Sequence, residues 1–296
     1  SFRLPGSGAG PSQDRLFLGS EGSLGIITEA WMKLVKRPTF RNNAAVHFTN
    51  YWDGVQAVRA ISQSGLNPAN VRLLDHNECK YSGTGDGSTA VLILGFESAD
   101  HPMDARMARA MECALDHKGF LPDESKAAQD DPRAGAAGRW REAFIKGGYL
   151  REMLTARGII KETFETATTW DQFEGFYNAV HDATREAVER VTGQGAAVAC
   201  RFTHVYPDGP APYFTFIGQG KRGQMREQYD AVKNAASDAI IKHRGTITHH
   251  HAVGRDHMPW YEQQVSPVFT GALTGAKRAV DPAGIMNPGV LLRPQR

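Results

Sequence analysis

An α+β fold, an antiparallel sheet with helices on one face, is what this sequence predicts. Two observations carry the prediction. Stretches with strand-like alternation or apolar density are interleaved with stretches of helical periodicity. Their order is strand, helix, two strands, helix, the pattern of a split β-α-β sandwich, and a second strand, helix and strand set continues it. The 296 residues, 41% hydrophobic and 22% charged, suit one large domain plus an appendage.

Residues 26–35 read as a strand that ends where Pro38 follows Arg37. A second strand is expected over 44–48. The spacing of Val55, Val58 and Ile61 predicts a helix over 51–64. Strands follow at 71–74 and 89–96, then a helix over 103–117 stopped by Gly119. Residues 123–138, polar and rich in Ala and Gly, read as a mobile connection. Beyond Trp140, Thr169 and Gln172 have capping-box spacing. Phe173, Phe176, Tyr177, Val180, Ala187 and Val191 mark one face of a long helix ending at Gly193. Strands at 197–206 and 212–217 are joined by the turn Pro207-Asp-Gly-Pro210, and a helix over 223–243 ends at Gly245.

Composition removes several classes of function. A net charge of +2, with no dense Lys/Arg run among aromatics, gives no reason to expect a nucleic-acid partner. Cys79, Cys113 and Cys200 are odd in number and irregular in spacing, which suits a reducing compartment and argues against a disulfide framework or a cysteine zinc site. The longest apolar run, residues 90–96, is far short of a membrane span. The first residues lack the pattern of a signal peptide, and Arg293-Pro-Gln-Arg296 is not a peroxisomal address.

Four places carry candidate chemistry. A glycine-rich turn at Gly19, Gly22 and Gly25 lets backbone approach a ligand, although an ordinary hairpin has the same composition. Its Glu21 disfavours direct phosphate contact, while the backbone amides can bind polar edges of a dinucleotide. Thr246-Ile-Thr-His-His-His-Ala-Val-Gly254 is read as extended, with His249 and His251 on one side and His250 on the other. A His-x-His pair with further ligands can hold zinc, a proton-transfer cluster is the competing use, and a structural histidine run is the plain one. Tyr213 alternates with Phe214 and Phe216 and is either a proton donor or acceptor or a satisfied interface tyrosine. Arg72 and Arg151 sit in apolar settings, each suited to clamping an anion or to pairing internally with Asp75 or Glu152.

The segment Phe17-Leu-Gly-Ser-Glu-Gly-Ser-Leu-Gly-Ile-Ile-Thr-Glu29 resembles the end of the FAD-binding domain in the vanillyl-alcohol oxidase/p-cresol methylhydroxylase family. Val280-Asp-Pro-Ala-Gly-Ile-Met-Asn-Pro-Gly-Val-Leu-Leu292 resembles that family's C-terminal signature. Within it, Val71-Arg-Leu-Leu-Asp75, Tyr149-Leu-Arg-Glu152, Glu162-Thr-Phe-Glu-Thr-Ala-Thr-Thr-Trp-Asp171, His204-Val-Tyr-Pro-Asp-Gly209, Tyr213-Phe-Thr-Phe216 and His249-His-His-Ala-Val-Gly254 are together similar to the alkyldihydroxyacetonephosphate synthases.

The resemblance implies a cap domain of ferredoxin-like repeats over 39–270, flanked by pieces of an FAD-binding domain at 1–38 and 271–296. It implies FAD as cofactor, contacted by Gly19, Ser20, Glu21, Gly22, Ser23, Leu24, Gly25 and Ile26, and no bound metal. The implied reaction exchanges the acyl group of acyl-dihydroxyacetone phosphate for a long-chain alcohol through a flavin N5 adduct, a step in ether lipid synthesis. Tyr213, His249, His250 and His251 match the residues used for proton handling. Arg151 matches the arginine that binds the carboxylate-derived group, and Arg72 is either a phosphate contact or structural support. The expected partners are the acyl ketose phosphate, the fatty alcohol, a membrane surface touched peripherally and a second copy in a homodimer, in the cytoplasm. Two alternatives stand beside this: an FAD-dependent D-2-hydroxy-acid dehydrogenase or oxidase, and a non-catalytic fragment that binds substrate or oligomerises. The first of these generally carries a His-x-Gly-Asp-Gly-Asn-x-His metal stretch, and here His204-Val-Tyr-Pro-Asp-Gly209 lacks the following Asn and second His.

Overall fold

The computed structural model of the chain describes residues 8–122 and 135–294. The stretch 123–134 of the expected mobile connection lies outside the described residues. Residues 135–138, expected to belong to it, are helical. Two compact units divide the chain, Lys36–Gly245 and the combination of Ser1–Val35 with Thr246–Arg296. The sequence reading draws these divisions after 38 and after 270.

The larger unit is built on a six-stranded sheet of β1 (Phe40–Phe48), β2 (Asn70–Leu74), β3 (Ala90–Ser98), β4 (Ile159–Glu165), β5 (Ala197–Val205) and β6 (Pro210–Gln219). Their spatial order is β1-β3-β2-β5-β6-β4, with every pair antiparallel. Each half therefore places its third strand between its first and second, and the second half mirrors the first across the β2–β5 seam. The long helices α2 (Tyr51–Gln63), α4 (Asp104–Asp116), α6 (Phe173–Thr192) and α7 (Met225–Lys242) bury apolar stripes on one face. Val46, Phe48, Leu73, Leu92 and Leu94 meet α2 and α4, while Phe164, Phe214 and Phe216 meet α6 and α7.

The opposite face differs between the halves. Two helices not anticipated from the sequence, α3 (His76–Ser82) and α5 (Gly135–Ala156), lie on it. Cys79 of α3 and Trp140 of α5 close a small core with Leu74, Val91 and Ile93. Asp75 caps α3, accepting the Glu78 amide at 2.7 Å, and Gly83 ends it in a left-handed conformation, φ 69°.

The seam has one registered pair, Leu74 with Arg201. Asp75 extends it: its amide donates to Cys200 O at 3.0 Å, and its carboxylate accepts the Cys200 amide at 2.7 Å. A side chain thus does the work of the next ladder position.

Two sequence expectations are corrected here. Helix α6 begins at Phe173 after Gln172, and no capping box forms at Thr169. Tertiary bonds hold that stretch to the Pro207 turn instead: the Trp170 amide donates to Asp208 O, and its indole donates to Tyr206 O and Pro207 O. The turn's Gly209 is required, because a Cβ there would overlap Thr168 O. Residues 26–35 form no strand. Their β-branched composition favours extended backbone, but a ladder needs a partner, and none of the described residues supplies one.

The smaller unit contains α1 (Gln13–Phe17), α8 (Met258–Gln264) and α9 (Pro267–Val280). Ser266 caps α9 with Pro267 at its first position. Leu24, Val253, Met258, Leu273, Val290, Leu291 and Leu292 form its core. The glycine turn and the loop after the histidines therefore share one apolar cluster. Lys277 Nζ donates to Ser23 O, Met286 O and Asp281 Oδ2 at 2.7, 2.7 and 2.6 Å. Asp281 in turn accepts the amides of Ile285 and Met286, which folds the C-terminal signature around this ion pair. The Lys277 ammonium bonded to it holds the Asp281 carboxyl below its usual value.

Candidate active site

In the larger unit, strand alternation sorts the site from the core. Phe214 and Phe216 point to the helices, and Tyr213 lies on the other face of β6. Its register partner on β5 is Arg201, on the same face. The Arg201 guanidinium lies over the Tyr213 ring, 4.0 Å from its centroid, and the Tyr213 hydroxyl donates to Thr163 Oγ1 at 2.8 Å. Arg201 Nη1 pairs with Glu78 Oε1 at 2.6 Å, both side chains nearly buried. Arg201 Nε is buried and meets no hydrogen-bond acceptor among the described residues.

Sequence reasoning missed Arg201 and Glu78. The available signal was a cation inside an otherwise apolar strand, between Cys200 and Phe202, which has to find a partner to be buried. That partner sits on α3, an element the sequence reading did not identify.

Arg72 shares this face on β2. Its guanidinium stacks on Trp140 at 4.4 Å, and its Nε donates to Asn70 Oδ1 at 3.0 Å. Burial and the charge of Arg201 hold it below its usual pKa. The internal pair with Asp75 does not form, because Asp75 is taken up by backbone amides at the seam. Burial pushes the Asp75 carboxyl up to about 7, against those two amide bonds. Arg151 stands apart on α5. It is 63% exposed and pairs with Glu162 of β4, not with Glu152.

In the smaller unit, the turn over 19–26 has Gly19, Gly22 and Gly25 at φ 87°, 75° and 153°. Ser20 and Ser23 are buried, and Ser23 Oγ meets no hydrogen-bond partner among the described residues. An orphaned buried hydroxyl beside small residues in left-handed turns fits a ligand with polar edges, as FAD has. Leu24 belongs to the local core, while Ile26 is exposed.

The histidine run is not the extended strand expected from the sequence. Residues 249–251 are bends, and the rings follow one another, 4.9 Å between the centroids of His249 and His250 and 5.8 Å between those of His250 and His251. The bend is set on either side. The His251 amide donates to Thr248 Oγ1, and Ala252 takes the left-handed conformation at φ 65°. Adjacent imidazoles in one short loop are suited to passing or sharing protons.

The fold and these two sites define a class of protein. The family model "FAD linked oxidases, C-terminal domain" matches residues 37–291, and the chain belongs to that family, with FAD as its cofactor. Among curated relatives, the chain is 26% identical to an alkyldihydroxyacetonephosphate synthase of Trypanosoma brucei brucei, over 96% of this chain and 49% of the relative. It is 28% identical to glycolate oxidase subunit GlcD of Bacillus subtilis, over 95% of this chain and 57% of the relative. A solved alkyldihydroxyacetonephosphate synthase structure shares the fold with a TM-score of 0.70 and 22% identity, over 96% of this chain and 51% of that one. The chain thus spans about half the length of these relatives. No helix among the described residues is long and apolar enough to cross a membrane.

Proposed function

We propose that this chain is the substrate-holding part of an FAD-dependent enzyme of the alkyldihydroxyacetonephosphate synthase type, exchanging the acyl group of acyl-dihydroxyacetone phosphate for a long-chain alcohol. The observation that carries the reading is the held phenol: Tyr213 lies under a guanidinium and is hydrogen-bonded to Thr163, so its hydroxyl has a fixed place for proton transfer. The exchange requires a proton to leave the carbon beside a carbonyl and a carboxylate to depart; Tyr213 in the larger unit and His249, His250 and His251 in the smaller are the titratable groups assigned to these steps. Arg72 and Arg201 place two cations on one sheet face, suited to a phosphate. Arg151 is largely exposed while its partner Glu162 is largely buried, so its guanidinium is open to a substrate carboxylate from the solvent side. When bound, FAD supplies the ring chemistry that side chains lack. On this reading the partners are the two lipid substrates, met at a membrane surface.

The glycolate oxidase relative supports a second reading, oxidation of a D-2-hydroxy acid. Against it, Pro210, Ala211 and Pro212 open β6 directly after Gly209, where the metal-holding stretch of those enzymes continues with Asn-x-His. The FAD-loaded protein separates the two. Incorporation of labelled fatty alcohol into an ether, with the flavin spectrum unchanged at completion, is the expected result. Bleaching of the flavin by D-2-hydroxy acids overturns it in favour of the second reading. Tyr213→Phe is expected to lower kcat by about 10²-fold or more at unchanged flavin content.

A further inference from the structure

We propose that Glu21 is a positioning residue for the histidine run and not a contact of the flavin. The inference rests on the reading above that His249, His250 and His251 handle protons. Glu21 stands in the glycine turn at φ 50°, a left-handed conformation that a side chain other than glycine rarely adopts. Its carboxylate reaches the far end of the histidine loop: Oε1 accepts the Val253 amide at 2.7 Å, and Oε2 accepts the Gly254 amide at 2.8 Å. These two successive amides, preceded by Ala252 at φ 65° and with Gly254 itself at φ 53°, make a small concave anion site, and the chain fills it with its own carboxylate. The backbone of Glu21 is fixed as well, its carbonyl accepting Asn287 Nδ2 at 2.5 Å.

The other end of the loop is held by Gln264, whose Oε1 accepts the Ile247 amide at 2.9 Å, and His257 Nδ1 meets Ala252 O at 2.9 Å. The three imidazoles are therefore bracketed between Gln264 and Glu21. A carboxylate in a turn that approaches a dinucleotide would repel phosphate. Committed to two amides, this one is occupied, and its negative charge is directed at the histidine loop. Charge-assisted bonds of this kind are stronger than neutral ones, and only a glutamate has the reach and both acceptor oxygens: aspartate is one methylene short, and glutamine would set its NH₂ against one of the amides.

The test compares Glu21→Gln and Glu21→Asp with the unaltered FAD-loaded protein, by amide hydrogen exchange, flavin absorbance and steady-state kinetics of alcohol exchange across pH. Expected are slow exchange at Val253 and Gly254 in the unaltered protein, at least tenfold faster exchange at both in the variants, and unchanged flavin stoichiometry. Alongside these, kcat is expected to fall about 10²-fold, as a misplacement of about 1 Å can cause, with KM little changed and the pH profile displaced. Loss of flavin in proportion to activity would overturn the proposal, because Glu21 would then be a cofactor contact. Fast exchange at both amides in the unaltered protein overturns it even if neither variant folds. Alanine variants of the three histidines that keep full kcat would sink the proton-handling reading, and the amide exchange would still decide whether Glu21 holds the loop.

Discussion

The two halves of the sheet follow one plan and differ in how they use the face turned away from the long helices. In the β1-β3-β2 half that face is sealed by Trp140 and Cys79, and β3 is buried along nearly its whole length, which is why it reads as an unbroken apolar run. In the β5-β6-β4 half the strands alternate, with phenylalanines toward the helices and Arg201, Tyr213 and Thr163 on the other side. A duplicated scaffold thus closes this face with apolar side chains in one copy and carries polar and charged ones on it in the other. The difference is written in whether a strand's apolar residues are continuous or spaced by two.

The largest expected effect falls where the halves join. Arg201→Met leaves Glu78 buried without its partner, and a loss of about 4 kcal/mol by denaturant titration is expected, with Glu78→Gln in the same molecule restoring most of it. A double variant no better than the single one would break the view of this pair as the bridge between the halves. In the sealed half, Ile93→Ala opens a cavity against Trp140 and is expected to cost about 3 kcal/mol, whereas Thr163→Ala in the other half removes one hydrogen bond to Tyr213 and is expected to cost about 1 kcal/mol. Equal costs would show that the halves do not divide their work.

Asp75 gives the seam a pH dependence. Its carboxyl, ordinarily near 3.8, is raised by burial to about 7 in the folded chain. Between these values only the unfolded chain ionises this group, so its contribution is fully present below about pH 4, falls as pH rises, and is lost above about 7. Stability curves of the unaltered protein and Asp75→Asn should diverge across that window, and parallel curves would refute the assignment. The smallest effect belongs to the other unit. Ala252→Gly relieves a left-handed alanine and is expected to raise stability by about 1 kcal/mol at most in denaturant titration; a loss would show that the added freedom of the unfolded chain outweighs the strain.

Most of the larger unit was legible in the sequence because its helices carry clean stripes and its strands alternate. The exceptions have separate physical causes. Helix α5 has Gly135, Gly138, Gly147 and Gly148 among scattered apolar residues, so no stripe announces it. Helix α3 is one short capped stretch. Strand β4, not anticipated as a strand, mixes Lys161, Glu162 and Thr163 into its alternation and gains its place by pairing with β6. That Tyr213 faces away from Phe214 and Phe216 was legible from the two-residue period, while its proton-handling role was read only from the family resemblance. Arg201 was not legible, because its role follows from Glu78, more than a hundred residues earlier in the chain. The bend of the histidine run depends likewise on Thr248, Ala252 and a carboxylate from the start of the chain, none of which a strand pattern reveals.

The buried strand β3 has a consequence for synthesis of the chain. Residues 90–96 combine high β-propensity with no charge, the kind of segment that associates with other chains while it is exposed. Its two neighbours in the sheet, β1 and β2, both precede it in sequence. When β3 leaves the ribosome, the strands that flank it on both edges have already emerged. Strand order here lets an aggregation-prone stretch be made last of its trio, with both of its sheet neighbours already available to pair with it.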